Sequence, residues 1–427
     1  MKILIRNARL LELSVEERRC VAVENDRITY IGNGEPQGSF DRIVDARGRL
    51  LTPAFYNAHA HSAMTIFRGY GEDLPLDKWL NTRIFPAEEK LTAERVYLGS
   101  KLAILEMIRH GIVSFSDMYY FCESTARAVL ETGVKANISR SVVSFDEKAD
   151  YRKDTRVKEG IRLFKEYNGA GDGRIKVDMS LHAEYTNVEP CVRYMAELTK
   201  DLGATMHLHL SETKKEHDEA ILRRGATPTE FFYKAGIFES PVVAAHCVYL
   251  TDEDRAIMAE HHATAVHNPI SNLKLGSGMM PLSKTINAGV RVALGTDGVA
   301  SNNRHDMLRE MQTALLLQKG VSGAPDSLKA KEAFLLATRN GALAQGRKDC
   351  GEISVGAKAD IVLFDTDKLH LIPIYDHYTM LAGASHATDV SFVMADGRIL
   401  YEDGEFTTVD VEKLRADFTE MHRHYFD

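Results

Sequence analysis

The sequence predicts an α/β protein: a (β/α)8 TIM barrel carrying a small discontinuous β-sandwich domain made by the N- and C-terminal segments. Three observations lead there. Eight short apolar runs recur through the middle of the 427-residue chain, most of them joined by segments of helical periodicity. Both ends of the chain read instead as short strands set apart by Gly, Asn and Asp turns. No G-x-G-x-x-G follows any strand, which disfavours an open dinucleotide-type sheet.

Residues 1–52 form the first part of the small domain, in the runs "KILIRNARLL", "CVAVENDRITYIG" and "DRIVDARGRLLTPAF". The barrel spans 53–350. Its strands are "LLTPAFYNAHAH", "IVSFSDMYY", "VKANISRSVV", "IKVDMSLHAEY", "ATMHLHLSE", "VVAAHCVYL", "ATAVHNPIS" and "RVALGTDG". Segments such as "TAERVYLGSKLAILEMIRHG", "TRVKEGIRLFKEY", "VRYMAELTKDLG" and "TDEDRAIMAEHHA" place apolar residues at three- and four-residue steps and read as the connecting helices. A last helix, "SLKAKEAFLLATRNGALAQG", leads out of the barrel. Residues 351–427 return to the small domain with "ADIVLFD", a hairpin on Asp396-Gly397 and a terminal helix. Each terminal strand set is too small to bury a core alone, so the two are expected to pair.

Composition narrows the function. With 53 basic and 61 acidic residues the formal charge is -8, and no run of Lys or Arg is interleaved with aromatics, so no nucleic acid partner is expected. No apolar window approaches the length of a membrane span, and the N-terminus becomes charged before a signal-peptide core could form. A cytoplasmic protein with no membrane partner is the expectation. Five scattered cysteines without a C-x-x-C pair indicate neither a disulfide framework nor a zinc ribbon.

Barrel enzymes carry their chemistry at the C-terminal ends of the strands. Here the first strand ends in His59 and His61, the fourth in His182, the fifth in His209 with Glu212 following, the sixth in His246 and the eighth in Asp297. Side chains two apart on a strand point the same way, so H-x-H delivers two imidazoles to one point in the barrel mouth. Alone, that pair is weak evidence. Ordinary polar capping at strand ends would have to recur at four strands to explain the rest. Imidazoles with one carboxylate suit zinc or ferrous iron, and a metal with an open position can turn water into a nucleophile near neutral pH. Glu212, three residues beyond His209, is placed to move protons. The pattern supports a cluster without separating ligands from acid–base groups.

The stretches "PAFYNAHAHSAMTIFRGYGEDLPLDKWL", "HLHLSET", "VAAHCVYL", "HNPISNLKLGSG" and "LGTDGVASNN" resemble the amidohydrolase superfamily. Within it they are similar to the cytosine, guanine and adenosine-derivative deaminase branch, and more narrowly to S-adenosylhomocysteine/5'-methylthioadenosine deaminases. The likeness runs over effectively the whole chain. It implies one divalent metal ion, usually Zn2+ with Fe2+ as the alternative, held by His59, His61, His209 and Asp297. It implies further that His246 orients the attacking water, that Glu212 protonates the ring nitrogen, and that Asp297 also takes a proton from the water. The implied partner is a small aminated heterocycle, and a homo-oligomer is implied as well. A second metal is not expected, because Lys176 sits at the start of the fourth strand, where it cannot bridge two ions at the mouth.

Substrate contacts follow from the same resemblance. Trp79, the single tryptophan, is either a core residue or a lid in an acidic loop after the first strand, and the resemblance favours the lid. Arg140 and Arg156 match positions that contact the substrate's tail or carboxylate, which a guanidinium fork suits. His182 matches a histidine that hydrogen-bonds the purine. Two departures stand out: Ala183-Glu184 where Ser-Pro is usual, and Arg304-His305 where small or apolar residues are expected. New charges at those loops would admit another aminated heterocycle, such as a guanine, pterin or triazine, or removal of chloride from a triazine. A non-catalytic barrel is the distant alternative, and would be expected to have lost Glu212 or a ligand. His207 reads as a satisfied interior histidine and the role of His267 is open. His110, His217, His261, His262, His422 and His424 read as surface or helix-end residues.

Overall fold

The computed structural model describes residues 1–423, 425 and 426. His424 and Asp427 lie outside the described residues. Eight parallel strands, Phe55–Ala60, Ile112–Tyr119, Lys135–Val142, Ile175–Leu181, Met206–Leu210, Val242–His246, Thr264–His267 and Arg291–Leu294, follow one another in sequence order across one sheet. Almost every residue in them is buried, as expected when both faces of a parallel sheet are covered. The seam between the first and eighth strands is joined differently. The Asp297 N–H donates to the His59 carbonyl at 2.9 Å, and the Asn57 amide pairs with Thr296 through its side chain. Gly295 allows this approach, since a Cβ there would lie 2.4 Å from Asn268 Oδ1 and 2.9 Å from His59 Cβ.

Helices cover the barrel, among them Ala93–Arg109, Thr155–Tyr167, Glu189–Leu202 and Asp252–Glu260. Their starts are capped as sequence chemistry dictates: Thr92, Asp154 and Thr251 each accept a first-turn N–H through the side chain. The helix expected over 327–346 is instead two, Ala330–Ala337 and Arg339–Ala344, broken at Thr338, whose φ of -120° and ψ of -90° lie outside the helical region.

The terminal segments meet in one nine-stranded sheet. Lys2–Leu10 pairs in parallel with Leu50–Pro53, which in turn pairs antiparallel with Ile361–Phe364. Here the structure divides what reads as continuous strand. Leu50–Pro53 belongs to this terminal sheet, and the barrel begins at Phe55, beyond Pro53. Val390–Ala395 and Arg398–Glu402 form the hairpin on Asp396-Gly397, both residues left-handed with φ of 45° and 72°. The apolar faces close over one core that includes Ile3, Val21, Leu51, Ile361 and Phe392. Lys135 at the start of the third barrel strand is fully buried against Asp360 and Asp396, pairing its charge across the junction between sheet and barrel. Among the described residues no helix is long and apolar enough to cross a membrane.

Candidate active site

Histidines from the ends of three barrel strands, His59, His61, His209 and His246, come together at the mouth, and the backbone beside some of these ends is distorted. Ser211, His246, Cys247 and Asp297 all have positive φ, an unfavourable conformation for non-glycine residues that concentrates at functional sites. His61 Nε2 lies 3.2 Å and His59 Nε2 3.5 Å from Asp297 Oδ1. His209 Nε2 lies 3.4 Å from His61 Nε2. The His246 ring centroid is 5.5 Å from that of His59 and 5.4 Å from that of His209.

In all four histidines the other ring nitrogen is already engaged. Nδ1 of His59 meets His207 Nε2 at 2.9 Å, Nδ1 of His61 meets the Met118 carbonyl, Nδ1 of His209 meets the His182 carbonyl at 2.8 Å, and Nδ1 of His246 meets Asn272 Oδ1 at 2.8 Å. Donating from Nδ1 fixes the tautomer that presents an Nε2 lone pair to the centre. His59 Nε2 is buried with no hydrogen-bond partner, a costly arrangement that a cation would relieve. Three imidazoles and one carboxylate are also a donor set that zinc or ferrous iron accepts. The residues therefore fit a divalent metal.

Asp297 is held on every side. Oδ2 accepts from Ser271 at 2.6 Å and Ser301 at 3.0 Å, while Oδ1 accepts from the Gly298 N–H at 2.7 Å. Burial raises its pKa, but the adjoining imidazoles of His59 and His61 outweigh that and hold the carboxylate well below its ordinary range. Burial pushes Glu212 the other way, so it retains a proton to higher pH than a free carboxylic acid. Its Oε1 accepts from Ser277 at 3.2 Å and its Oε2 lies 3.7 Å from His246 Nε2. The helix Lys214–Arg224 pins it: Thr213 caps the helix, and Glu216 at the third position reaches back to the Ser211 and Glu212 N–H groups at 3.0 and 2.7 Å.

A cavity of about 660 Å³ opens over this cluster. Trp79, Arg140, Arg156, His182, His209, Glu212, His246 and Asp297 all line it. Trp79 is also 5 % exposed and packs with Met64, Phe67 and Leu275, so it lines the cavity from within a packed apolar cluster. The segment read as an acidic loop is helical from Leu76 to Glu88, with one wide π turn over Leu80–Ile84 just ahead of Pro86, which has no N–H to donate. Arg140 pairs with Glu159 at 2.6 Å and lies over the Tyr120 ring, and Arg156 pairs with Asp154 at 2.8 Å. Burial keeps His182 neutral by lowering its pKa to about 4.

The two charged departures do not enter the cavity. Glu184 is fully buried and turned toward Arg223 and Arg224, where two guanidiniums neutralise it. His305 is fully buried too, its Nδ1 on Thr296 Oγ1 at 2.9 Å, while Arg304 is exposed. Neither brings a new charge to the ligand. Lys176 bonds the Gly346 carbonyl and does not line the cavity. Sequence reasoning missed Glu88, a half-buried acid on the lid helix that burial raises to about 7 beside Tyr119 and Tyr120. Nothing in "FPAEEK" separates it from Glu89 except helical phase.

Comparison with known proteins agrees with this geometry. The model of the Amidohydrolase family matches residues 50–400. A 5-methylthioadenosine/S-adenosylhomocysteine deaminase of Moorella thermoacetica is 41% identical, with 99% of each chain covered. A 5'-deoxyadenosine deaminase of Methanothermobacter thermautotrophicus is 40% identical, covering 98% of this chain and 97% of its own. A crystal structure of an adenosine deaminase from Xanthomonas campestris with bound zinc superposes with a TM-score of 0.92 at 30% identity, covering 99% of this chain and 98% of that one. The chain belongs to the amidohydrolase family.

Proposed function

We propose that this protein is a metal-dependent hydrolytic deaminase of adenine-type nucleosides, releasing ammonia and the inosine-type product from S-adenosylhomocysteine, 5'-methylthioadenosine or adenosine. One observation carries the reading. The Nε2 atoms of His59, His61 and His209 converge with Asp297 at the floor of a cavity whose walls offer an acid for a proton, an acid for hydroxyls and two guanidiniums. The deaminases that share about 40% identity over nearly the full chain support the substrate class.

His59, His61, His209 and Asp297 hold the metal, preferably zinc. When bound, it supplies the activation of water for attack on the amino-bearing ring carbon. Glu212, whose hold on a proton burial strengthens, delivers that proton to the adjacent ring nitrogen and then assists loss of ammonia. His246, fixed by Asn272, orients the attacking water. Asp297 accepts the proton the water gives up. His182 hydrogen-bonds the purine, Trp79 covers it, and Glu88 receives the ribose hydroxyls. Arg140 and Arg156 meet the carboxylate of an amino-acid tail.

Purified protein loaded with Zn2+ and assayed for ammonia release against purine nucleosides, guanine and pterins tests the proposal. Turnover of adenine nucleosides is expected. Turnover confined to pterins or guanine would overturn the substrate, and no turnover of any compound with zinc bound would overturn the chemistry.

A further inference from the structure

Between the strands Ile361–Phe364 and Val390–Ala395 the chain leaves the terminal sheet and comes back to it. It departs through the short turn Leu369–Leu371 and returns through the turn Ala387–Asp389. Where the two turns meet, His370 and His386 lie face to face, their ring centroids 4.7 Å apart and their planes within 14° of parallel. His370 Nε2 is 3.0 Å from Asp389 Oδ2. One ligating atom from each of the three residues lies within 4.8 Å of the other two. We propose that His370, His386 and Asp389 form a second divalent-metal site, on the surface of the protein and separate from the barrel mouth.

The state of Asp389 carries the argument furthest. Both histidines are exposed, whereas Asp389 is 2% exposed. Its Oδ2 is anchored by the His386 N–H at 2.8 Å, so the carboxylate is oriented before any ligand arrives. Within ion-pair distance its partner among the described residues is His370, and the positive charge of Lys368 acts on it from farther away. A buried carboxylate is stabilised by positive charge brought close to it. A cation between the three side chains supplies it once the two exposed rings turn out of their stacked pose to aim one nitrogen each at the ion.

The donor set selects the ion. Two imidazole nitrogens and one carboxylate oxygen suit Zn2+, Ni2+ or Cu2+, whereas Ca2+ and Mg2+ prefer oxygen alone. His370 Nε2 and Asp389 Oδ2 are hydrogen-bonded at 3.0 Å, close enough for both to reach one ion at bond lengths of about 2.0–2.2 Å after a small adjustment. Three protein ligands leave positions for water on the exposed side. None of the three lines the cavity of the barrel, so the site is independent of the reaction. An ion there would clip together the two ends of the excursion.

The test is calorimetric titration of the full chain with Zn2+ and with Ni2+, after the barrel site has been filled, in parallel with His370→Ala and His386→Ala. The unaltered protein is expected to take one further equivalent of metal and to unfold at higher temperature with it. Each variant is expected to bind that equivalent at least tenfold more weakly while keeping the barrel metal and the rate of ammonia release. Absence of a further equivalent in the unaltered protein, or its survival in both variants, would overturn the proposal.

Discussion

His207 Nε2 stands 2.9 Å behind His59 Nδ1, on the far side of the ring from the Nε2 that faces Asp297. Two neighbouring imidazoles sharing one proton constrain each other's tautomer. His59 must donate from Nδ1 to leave Nε2 free, so His207 must accept at Nε2 and carry its own proton on Nδ1. That Nδ1 is buried without a partner, a cost on the order of 1–3 kcal/mol. Burial and the neighbouring histidines keep His207 neutral, which is the state the arrangement requires. It is therefore not merely a satisfied interior residue. His207→Phe, of similar bulk, is expected to lower metal affinity about 10–100-fold while leaving KM of the metal-loaded protein close to its original value. His207→Gln, which restores an acceptor, should recover part of the loss. Metal retention during dialysis against a chelator reads this directly; unchanged retention in the Phe variant would remove His207 from the site.

Glu212 touches the reacting face without ligating the metal in the proposed scheme. Glu212→Gln preserves shape and the Ser277 contact and removes the transferable proton. Turnover is expected to fall about 10²–10⁴-fold with metal content intact. Loss of metal in that variant would show that Glu212 is a ligand rather than a proton carrier.

Much of this arrangement was legible because it obeys short-range rules. A buried barrel strand is a short apolar run, its last inward residue is fixed by the two-residue period, and so His59, His61, His209 and His246 could be placed from sequence. Other features depend on partners far along the chain. Glu184 reads as a charge at a strand end, yet Arg223 and Arg224, some 40 residues later, turn it away from the cavity. His305 is drawn under the mouth by Thr296. Glu88 enters the cavity only because a wide turn before Pro86 changes the phase of the lid helix. None of these is set by periodicity.

Glu88 gives a pH signature. Its pKa near 7 means that it is able to accept two hydrogen bonds above that pH and becomes protonated, losing acceptor capacity, below it. KM for ribonucleosides is therefore expected to rise as pH falls through about 7, with kcat less affected. Glu88→Gln should abolish that rise, and 2',3'-dideoxy substrates should lack it in the unaltered protein. A KM that is flat across this range for ribonucleosides would exclude Glu88 as the hydroxyl-binding group.

Arg140 and Arg156 each already hold a carboxylate, Glu159 and Asp154, so a charged tail has to share or displace a partner. Arg140→Ala is expected to raise KM for carboxylate-bearing nucleosides about 10–100-fold, matching the ~1.5–3 kcal/mol of a hydrogen bond to a charged group. Nucleosides with uncharged tails should change little. Arg140→Lys should not rescue, because a point charge lacks the fork and the stacking on Tyr120. Glu159→Gln should lower KM for the charged substrate alone. Equal effects on charged and uncharged tails would mean that Arg140 only supports the wall.

Tyr425 links the helical segment 76–88 to the turn after the first barrel strand. Its ring is 1% exposed and meets Phe67 edge-on at 5.5 Å, while the Arg95 guanidinium lies 4.5 Å over it. Its hydroxyl donates to the Ala87 carbonyl at 2.9 Å, one residue before Glu88. Phe67 closes the turn that begins directly after His61, and the neighbouring Ile66 carbonyl is met by His422 Nε2 at 3.0 Å. One aromatic wedge thus fixes both the turn after the H-x-H and the helix that carries Trp79 and Glu88. Tyr425→Ala is expected to cost on the order of 3 kcal/mol of stability and to raise KM for nucleosides severalfold, with metal retention unchanged. Tyr425→Phe removes only the hydrogen bond to Ala87 and should cost about 1 kcal/mol with little change in KM. Hydrogen exchange over residues 76–88 distinguishes the causes: faster exchange there in the Ala variant means the wedge holds the lid, whereas a stability loss with normal exchange and KM means it is packing alone.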